Sequence, residues 1–280
     1  MACKSRRRGG DRKATDDRTR NARSRSSKRG RPPRVSVVMP THNYARYIGE
    51  AIDGVLAQTC EDFELIIVDD ASTDNTLDIV TGYRDDRIVL VQREDCTCSG
   101  VAAINDGMAI ARADLIAVAD SDDISVPERL ERQATFLDRN PTVDFLGGGL
   151  LPVDGRNEPI GRPVMKPVYR KRPERYRQAL LQGVPVLIQG TMMHRRHVLE
   201  RLGGYGGYIS SGDTEFLLRA SRYYTFCNLR SVLIRCRQHR SSVTRQSGAR
   251  LKKLHHRIFL EKEHMWVQKE LERMRMAPQG

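Results

Sequence analysis

The sequence has no long apolar run, no paired cysteine motif and no internal repeat, and each absence excludes something. Its longest uncharged stretch, QALLQGVPVLIQGTMMH (Gln178–His194), contains three Gln, two Gly and one Pro. That is a poor membrane span, which needs roughly 18 or more apolar residues. The N-terminus lacks the apolar segment of a secretory signal. The six cysteines, Cys3, Cys60, Cys96, Cys98, Cys227 and Cys236, form no zinc-type double pair, since the CTC of Cys96 and Cys98 has no counterpart. No structural zinc site is expected, and free thiols point to a reducing compartment. The chain reads as cytoplasmic, soluble or peripheral at a membrane surface.

Acidic charge is scarce in one region only. The chain of 280 residues carries a net charge of +13. Residues 1–34 hold 14 Lys/Arg against 3 Asp/Glu, a net of +11, and the remaining 246 residues are nearly balanced. Residues 1–33, rich in Arg, Ser and Gly, have too few large apolar side chains to offset the entropy of ordering and read as a disordered basic tail. The charge therefore belongs to an appendage, suited to an anionic membrane surface.

From residue 34 onward, β-rich and helical patterns alternate. RVSVVMP, FELIIVD, RIVLVQ and DLIAVAD read as strands. YIGEAIDGVLAQT, DNTLDIVTGY, GVAAINDGMAIARA and PERLERQATFLDRN read as helices, with Asp70 or Ser72 available to cap the second. Uniformly apolar strands alternating with helices predict an α/β fold: a mostly parallel sheet covered by helices on both faces. Further on, VDFLGGGLLPV, VLIQGTMMH and NLRSVLIRCRQH read as strands, GDTEFLLRASRYY and residues 249–275 as helices, and residues 155–175 as a loop. His42, His194 and His197 read as loop or surface residues, and Trp266 with the apolar positions of 254–266 as a packing face.

Two acidic clusters stand at strand ends: Asp69-Asp70 in LIIVDDASTDNT and Asp120-Ser121-Asp122-Asp123 in DLIAVADSDD. In open parallel sheets, ligands bind beyond the carboxyl ends of the strands, so both clusters should face one crevice. Paired carboxylates there can hold an anionic ligand only through a divalent cation, and hard oxygen ligands suit Mg²⁺ or Mn²⁺.

With VSVVMPTHNYARYIGEAIDGVLAQT, FELIIVDDASTDNT, AINDGMAIARADLIAVADSDDISVPERLERQATFLDRNP, LGGYGGYISSGDTEFLLRA and SVLIRCRQHRSSVT in that order over Arg34 to Thr244, the sequence resembles the family 2 glycosyltransferases. The resemblance implies a GT-A fold over residues 34–245, with a nucleotide-binding half (34–140) and an acceptor-side half (141–245), followed by a charged helix (246–280). It implies inverting transfer of a sugar from a nucleotide-sugar donor, UDP by default, to a glycan or lipid-linked acceptor. Asp70 would accept the imide hydrogen bond of the base, and Thr41 would touch the base through its backbone. Asn105 and Gly107 would lie on a helix running past the nucleotide. Asp122 would be the metal ligand, Asp120 a metal or ribose partner, His239 a third ligand, and Arg237 a neutraliser of the diphosphate. Asp213 would be the general base, where the family keeps a Glu-Asp pair and this chain has Gly212-Asp213; Glu215 is the reserve. Asp69 stays open between a cap, a loop brace and a ligand contact, and Asp123 reads as a cap of the following turn. The chain departs from the family at Ile104, where many relatives carry Arg. It lacks the Q-x-x-R-W signature of processive relatives, which implies single additions.

Two other readings stand beside this one. KRGRPPR (Lys28–Arg34) resembles an AT-hook, a basic arm for the minor groove of DNA. The lost Glu and Arg also fit a non-catalytic relative of the same fold.

Overall fold

The computed structural model describes residues 30–96, 100–168, 174–206, 212–239 and 249–276. The basic tail expected at 1–33 lies outside them up to residue 29. Strand β1 (Val35–Thr41) is followed by α1 (Ile48–Leu56), β2 (Phe63–Asp69), α2 (Thr76–Gly82), β3 (Ile88–Gln92), α3 (Val101–Ile110) and β4 (Leu115–Val118). Then come β5 (Ile124–Ser125), α4 (Arg129–Arg139), β6 (Phe145–Val153), α5 (Glu174–Leu181), β7 (Met193–Arg195), α6 (His197–Leu202), α7 (Gly212–Ala220), β8 (Phe226–Arg237) and α8 (Ala249–Met276).

All eight strands join one sheet in the order β3-β2-β1-β4-β7-β6-β8-β5. The first four are parallel, as the alternation predicts; β7 is antiparallel to both β4 and β6, and β8 runs parallel to β6. Side chains alternate between two apolar layers. Val38, Ile66, Val68, Ile116 and Val118 pack under α3, while Val37, Met39, Leu65 and Ile67 pack under α1. The parallel strands are largely apolar because each face has a helix to bury against, and the buried polar pair Ser36 and Glu64 on β1 and β2 bond to each other at 2.7 Å. Burying each apolar side chain contributes about 1.5–3 kcal/mol, which anchors the strand ends. Strand order reverses at β1, with β2 on one side and β4 on the other, so the crevice opens there.

Several local expectations change. Neither Asp70 nor Ser72 caps α2: its N-cap is Asn75, with no side-chain cap bond, and Asp74 just before it accepts from Thr76 N at 3.0 Å and from Ala45 N at 3.1 Å. Only Met193–Arg195 of VLIQGTMMH is strand, because Gln189–Thr191 forms a 3₁₀ turn in which the Thr191 hydroxyl donates to Ile188 O at 2.8 Å. Part of the expected loop at 155–175 folds back on β6 through the Val153–Pro159 and Leu150–Val164 bridges. His194 is fully buried, not surface: its Nδ1 meets Arg195 O at 3.1 Å, and its ring packs against both Phe145 and Phe216. Helix α8 is anchored by the buried Glu263, paired with Arg177 at 2.7 Å and with Arg222, beside an Arg222–Trp266 cation–π contact. No helix among the described residues is long and apolar enough to cross a membrane.

Candidate active site

The β1–β2 register places Thr41 opposite Asp69, so the two strands end at one level. Asp70 follows immediately, its N–H donating to Thr41 O at 2.8 Å. Leu65–Val68 are 0–1% exposed; the four apolar residues are the anchor that holds the acidic pair at the rim. Asp69 is a loop brace, accepting from Ser72 N at 3.1 Å and from the Ser72 hydroxyl. Asp70, 1% exposed, pairs with Arg93 Nε at 2.8 Å, and Arg93 pairs in turn with Asp106. His42 Nδ1 sits 2.9 Å from Asp70 O. Arg93 was not singled out from the sequence, although its place directly after β3 mirrors that of Asp70 after β2. It puts a guanidinium beside Asp70, whereas Ile104 is buried in the core. Thr41, expected to touch a base through its backbone, is buried with its hydroxyl unpaired among the described residues, and its carbonyl accepts from Asp70 N.

The second cluster follows β4. Asp120 Oδ2 lies against Gly190, where a Cβ would come within 2.5 Å, so glycine makes the room. Burial first, and the Asp122 carboxylate second, push the Asp120 carboxyl up to about 7 against the pull of Arg129. Arg129 is itself buried, donating to Val118 O at 2.6 Å and Ser125 Oγ at 3.0 Å, and burial brings its pKa down to about 10. Asp122 Oδ2 and His239 Nε2 are 2.9 Å apart. Tyr47 tilts against the His239 ring at 4.6 Å and Tyr44 meets it edge-on at 6.0 Å, with the Tyr44 hydroxyl bonded to Asp122.

Arg237 is not free to meet a diphosphate as expected. It is 2% exposed and mostly engaged: its backbone N–H donates to Asp123 Oδ1 at 2.9 Å, Nε to Asp122 O at 3.1 Å and Nη1 to Gly155 O at 3.2 Å, while Nη2 lies 3.1 Å from Glu50 in an ion pair without hydrogen-bond geometry. It braces the acidic turn from behind. Asp123 accordingly ties the end of β8 rather than capping a turn.

Asn105 is likewise spent on protein. Its Oδ1 accepts from Tyr205 N at 2.8 Å and its Nδ2 donates to Tyr205 O at 3.0 Å. Gly107, two residues on, is buried against Val38 and Val68. Asp213 is half-buried at the start of α7, near enough to Asp120 and Tyr205 to act on both electrostatically. Glu215 points elsewhere: it pairs with Arg219 at 2.6 Å and accepts from Gly206 N at 3.1 Å, while Arg219 donates to Leu202 O and Gly204 O, both at 2.7 Å.

Among the described residues no three His, Cys, Asp or Glu side chains come together as a metal-holding group. The expected set of Asp120, Asp122 and His239 is therefore not assembled as a trio, because Asp120 turns to Gln189 and Gly190. Asp122 and His239 remain as a pair. That donor set, a hard carboxylate oxygen beside an imidazole nitrogen, fits Mn²⁺ or Mg²⁺, whose sites commonly combine one or two protein ligands with substrate phosphates.

Comparison with known structures identifies the fold as GT-A. Staphylococcus aureus TarS in complex with UDP-GlcNAc superposes with a TM-score of 0.63 at 22% identity, covering 75% of this chain and 60% of that one. Mannosyltransferase PcManGT from Pyrobaculum calidifontis, in complex with GDP-Man and Mn²⁺, gives 0.61 at 20% identity, covering 90% and 72%. The family model for glycosyl transferase family 2 matches residues 36–203, and the chain belongs to that family. It is 36% identical over 180 residues to the Bacillus subtilis protein EpsE, named a glycosyltransferase; the match covers 62% of this chain and 60% of EpsE. Against the Escherichia coli O-antigen biosynthesis glycosyltransferase WbnJ it is 28% identical over 223 residues, 77% of this chain and 84% of WbnJ. The chain thus spans less than two thirds of EpsE and of TarS.

Proposed function

We propose that the protein is an inverting glycosyltransferase that moves a sugar from a nucleoside diphosphate sugar, a UDP-sugar by preference, to a hydroxyl of a glycan or lipid-linked acceptor. One observation carries the reading: Asp70 follows β2, Asp120 and Asp122 follow β4, His239 lies just past β8 beside Asp122, and Asp213 opens α7, with β2 and β4 flanking β1 and Asp213 acting on Asp120. Asp70 would accept the imide N–H of the base, with the Arg93 guanidinium alongside to serve a base carbonyl. Asp120 would take the ribose. Asp122 and His239 would hold the divalent cation, which supplies charge neutralisation for the leaving diphosphate. Arg237 acts from behind, fixing the turn that presents Asp122. Asp213 would take the acceptor hydroxyl proton as that oxygen attacks, a positioned base contributing about 10²- to 10⁴-fold. The basic residues 1–33 would meet an anionic membrane surface, and the chain would work in the cytoplasm.

The test is calorimetric titration of the full chain with UDP and GDP, with and without Mn²⁺, for wild type and Asp122→Ala. Metal-dependent binding of UDP in wild type, lost in Asp122→Ala, is expected. Unchanged affinity in Asp122→Ala would overturn the placement of the cation.

A further inference from the structure

Tyr205 carries a hydroxyl that the protein itself does not use. The side chain is 6% exposed, and its oxygen has no hydrogen-bond partner among the described residues. A buried unpaired hydroxyl costs stability, and phenylalanine would fill the same space without that cost. Yet the fold holds this residue firmly. The ring stacks on Phe216 with centroids 4.7 Å apart and planes 20° apart. Asn105 grips the backbone from both sides. The preceding residue must be glycine, since a Cβ on Gly204 would collide with Asn105 Oδ1. Arg219 then secures the Gly204 carbonyl at 2.7 Å. So much rigid support under an unsatisfied donor is the pattern of a group kept for a ligand.

The surroundings say which part of a ligand. Burial chiefly, then the Asp213 and Asp120 carboxylates, raise the phenol well above its ordinary pKa, so it remains a neutral donor under the influence of two acids. A diphosphate would be repelled there. A sugar hydroxyl suits the place, because one oxygen can accept from the phenol while its hydrogen is donated to a carboxylate.

We propose that Tyr205 contacts substrate directly: its hydroxyl donates to a hydroxyl of the sugar being transferred. This rests on the glycosyltransferase reading and assigns a sugar contact within it.

The experiment compares wild type with Tyr205→Phe by thermal stabilisation and calorimetry in Mn²⁺, using UDP, GDP and a panel of their sugar conjugates that includes UDP-GlcNAc and GDP-mannose. Without ligand, Tyr205→Phe should melt at the same temperature or higher. Its affinity for the bare nucleotide should stay within about twofold. The extra affinity that wild type gains from the sugar should shrink roughly 3- to 10-fold, the worth of one hydrogen bond. A lower melting temperature would show that the hydroxyl has a partner in the protein and would overturn the assignment. So would an unchanged sugar increment, a loss that appears equally with bare nucleotide, or a wild type that gains nothing from any sugar. A wild type that binds neither UDP nor GDP would sink the glycosyltransferase reading first, and that outcome is visible before the variant is made.

Discussion

Residues 34–140 and 141–239 both bring carboxylates to the crevice, but they hold them by different physics. Asp70 and Asp120 come just after β2 and β4, whose apolar residues, Leu65–Val68 and Leu115–Val118, are at most 5% exposed. Hydrophobic burial fixes the strand, and the strand fixes the acid. In the later half the groups depend on polar clamps: Asn105 on Tyr205, Arg219 on Leu202 and Gly204, and Arg237 on Gly155, with Arg237 also reaching back to Asp122 of the earlier half. Such networks are specific, and each member matters because a partly satisfied buried network is costly. The earlier half should therefore tolerate polar changes at its rim with loss of function alone, whereas the later half should couple function to stability.

Asp213→Asn is the sharpest way to break that comparison, because Asp213 lies in the clamped half and yet is assigned chemistry rather than support. The amide is nearly isosteric and cannot take a proton. Transfer should fall roughly 10²- to 10⁴-fold, with nucleotide affinity within a few fold and the melting temperature unchanged. Initial transfer rates together with a thermal melt decide it; near-normal transfer would remove Asp213 from the base role.

A second test lies in the core. His194 on β7 is fully buried, its Nε2 has no partner among the described residues, and burial brings its pKa down to about 4. Its unfolded value is about 6.5. Above pH 6.5 both states are neutral and the group adds no pH dependence. As pH falls from about 6.5 to about 4, the unfolded chain takes up a proton that the folded protein refuses, and stability drops by on the order of 3 kcal/mol. Denaturant melts from pH 7.5 to 4 should show wild type losing that amount relative to His194→Phe. Parallel curves would mean that the imidazole is hydrated in solution.

The same contrast explains what was legible in the sequence. Strands, their parallel order and the acids at their ends come from local apolar patterning, and Asp70 and Asp122 sit where that patterning put them. Patterning cannot show where a polar side chain spends its hydrogen bonds. Arg237 and Asn105 stand at the expected positions in their motifs, but both face protein. Asp74, rather than Asp70 or Ser72, accepts from Thr76 N at the start of α2, and it also holds Ala45 N, a contact between two loops. His194 carries no local mark of burial; its packing against Phe145 and Phe216 arises only when β6, β7 and α7 meet. Arg93 was within reach of the same logic that found Asp70, because it is the residue directly after β3, a neighbouring strand that ends at the crevice.

Asp70→Asn probes the strand-held half. The amide keeps the shape but gives up the charge that meets Arg93 and the proposed base imide. A hydrogen bond to a charged group is worth about 1.5–3 kcal/mol, so UDP affinity should fall roughly 10- to 100-fold. The chain should stay folded, since β2 is held by burial. Calorimetry beside a thermal melt checks both, and unchanged affinity would remove Asp70 from the base contact.

Glu215→Gln should have the smallest effect on chemistry and is the control for Asp213→Asn. Glu215 is 9% exposed and bonded through both oxygens, to Arg219 and to Gly206 N. The amide can still accept from Gly206 N, and Arg219 keeps its bonds to Leu202 O and Gly204 O. What is lost is the ion pair with Arg219. The expected cost is about 1–3 kcal/mol of stability, the range for a buried polar group losing a partner. Transfer by the folded fraction should fall only a few fold, through slight loosening of the loop that carries Tyr205. A variant that melts like wild type but transfers no sugar would make Glu215 the base. That result, combined with near-normal transfer by Asp213→Asn, would move the chemistry two residues along α7 and leave Arg219 as the partner that tunes it.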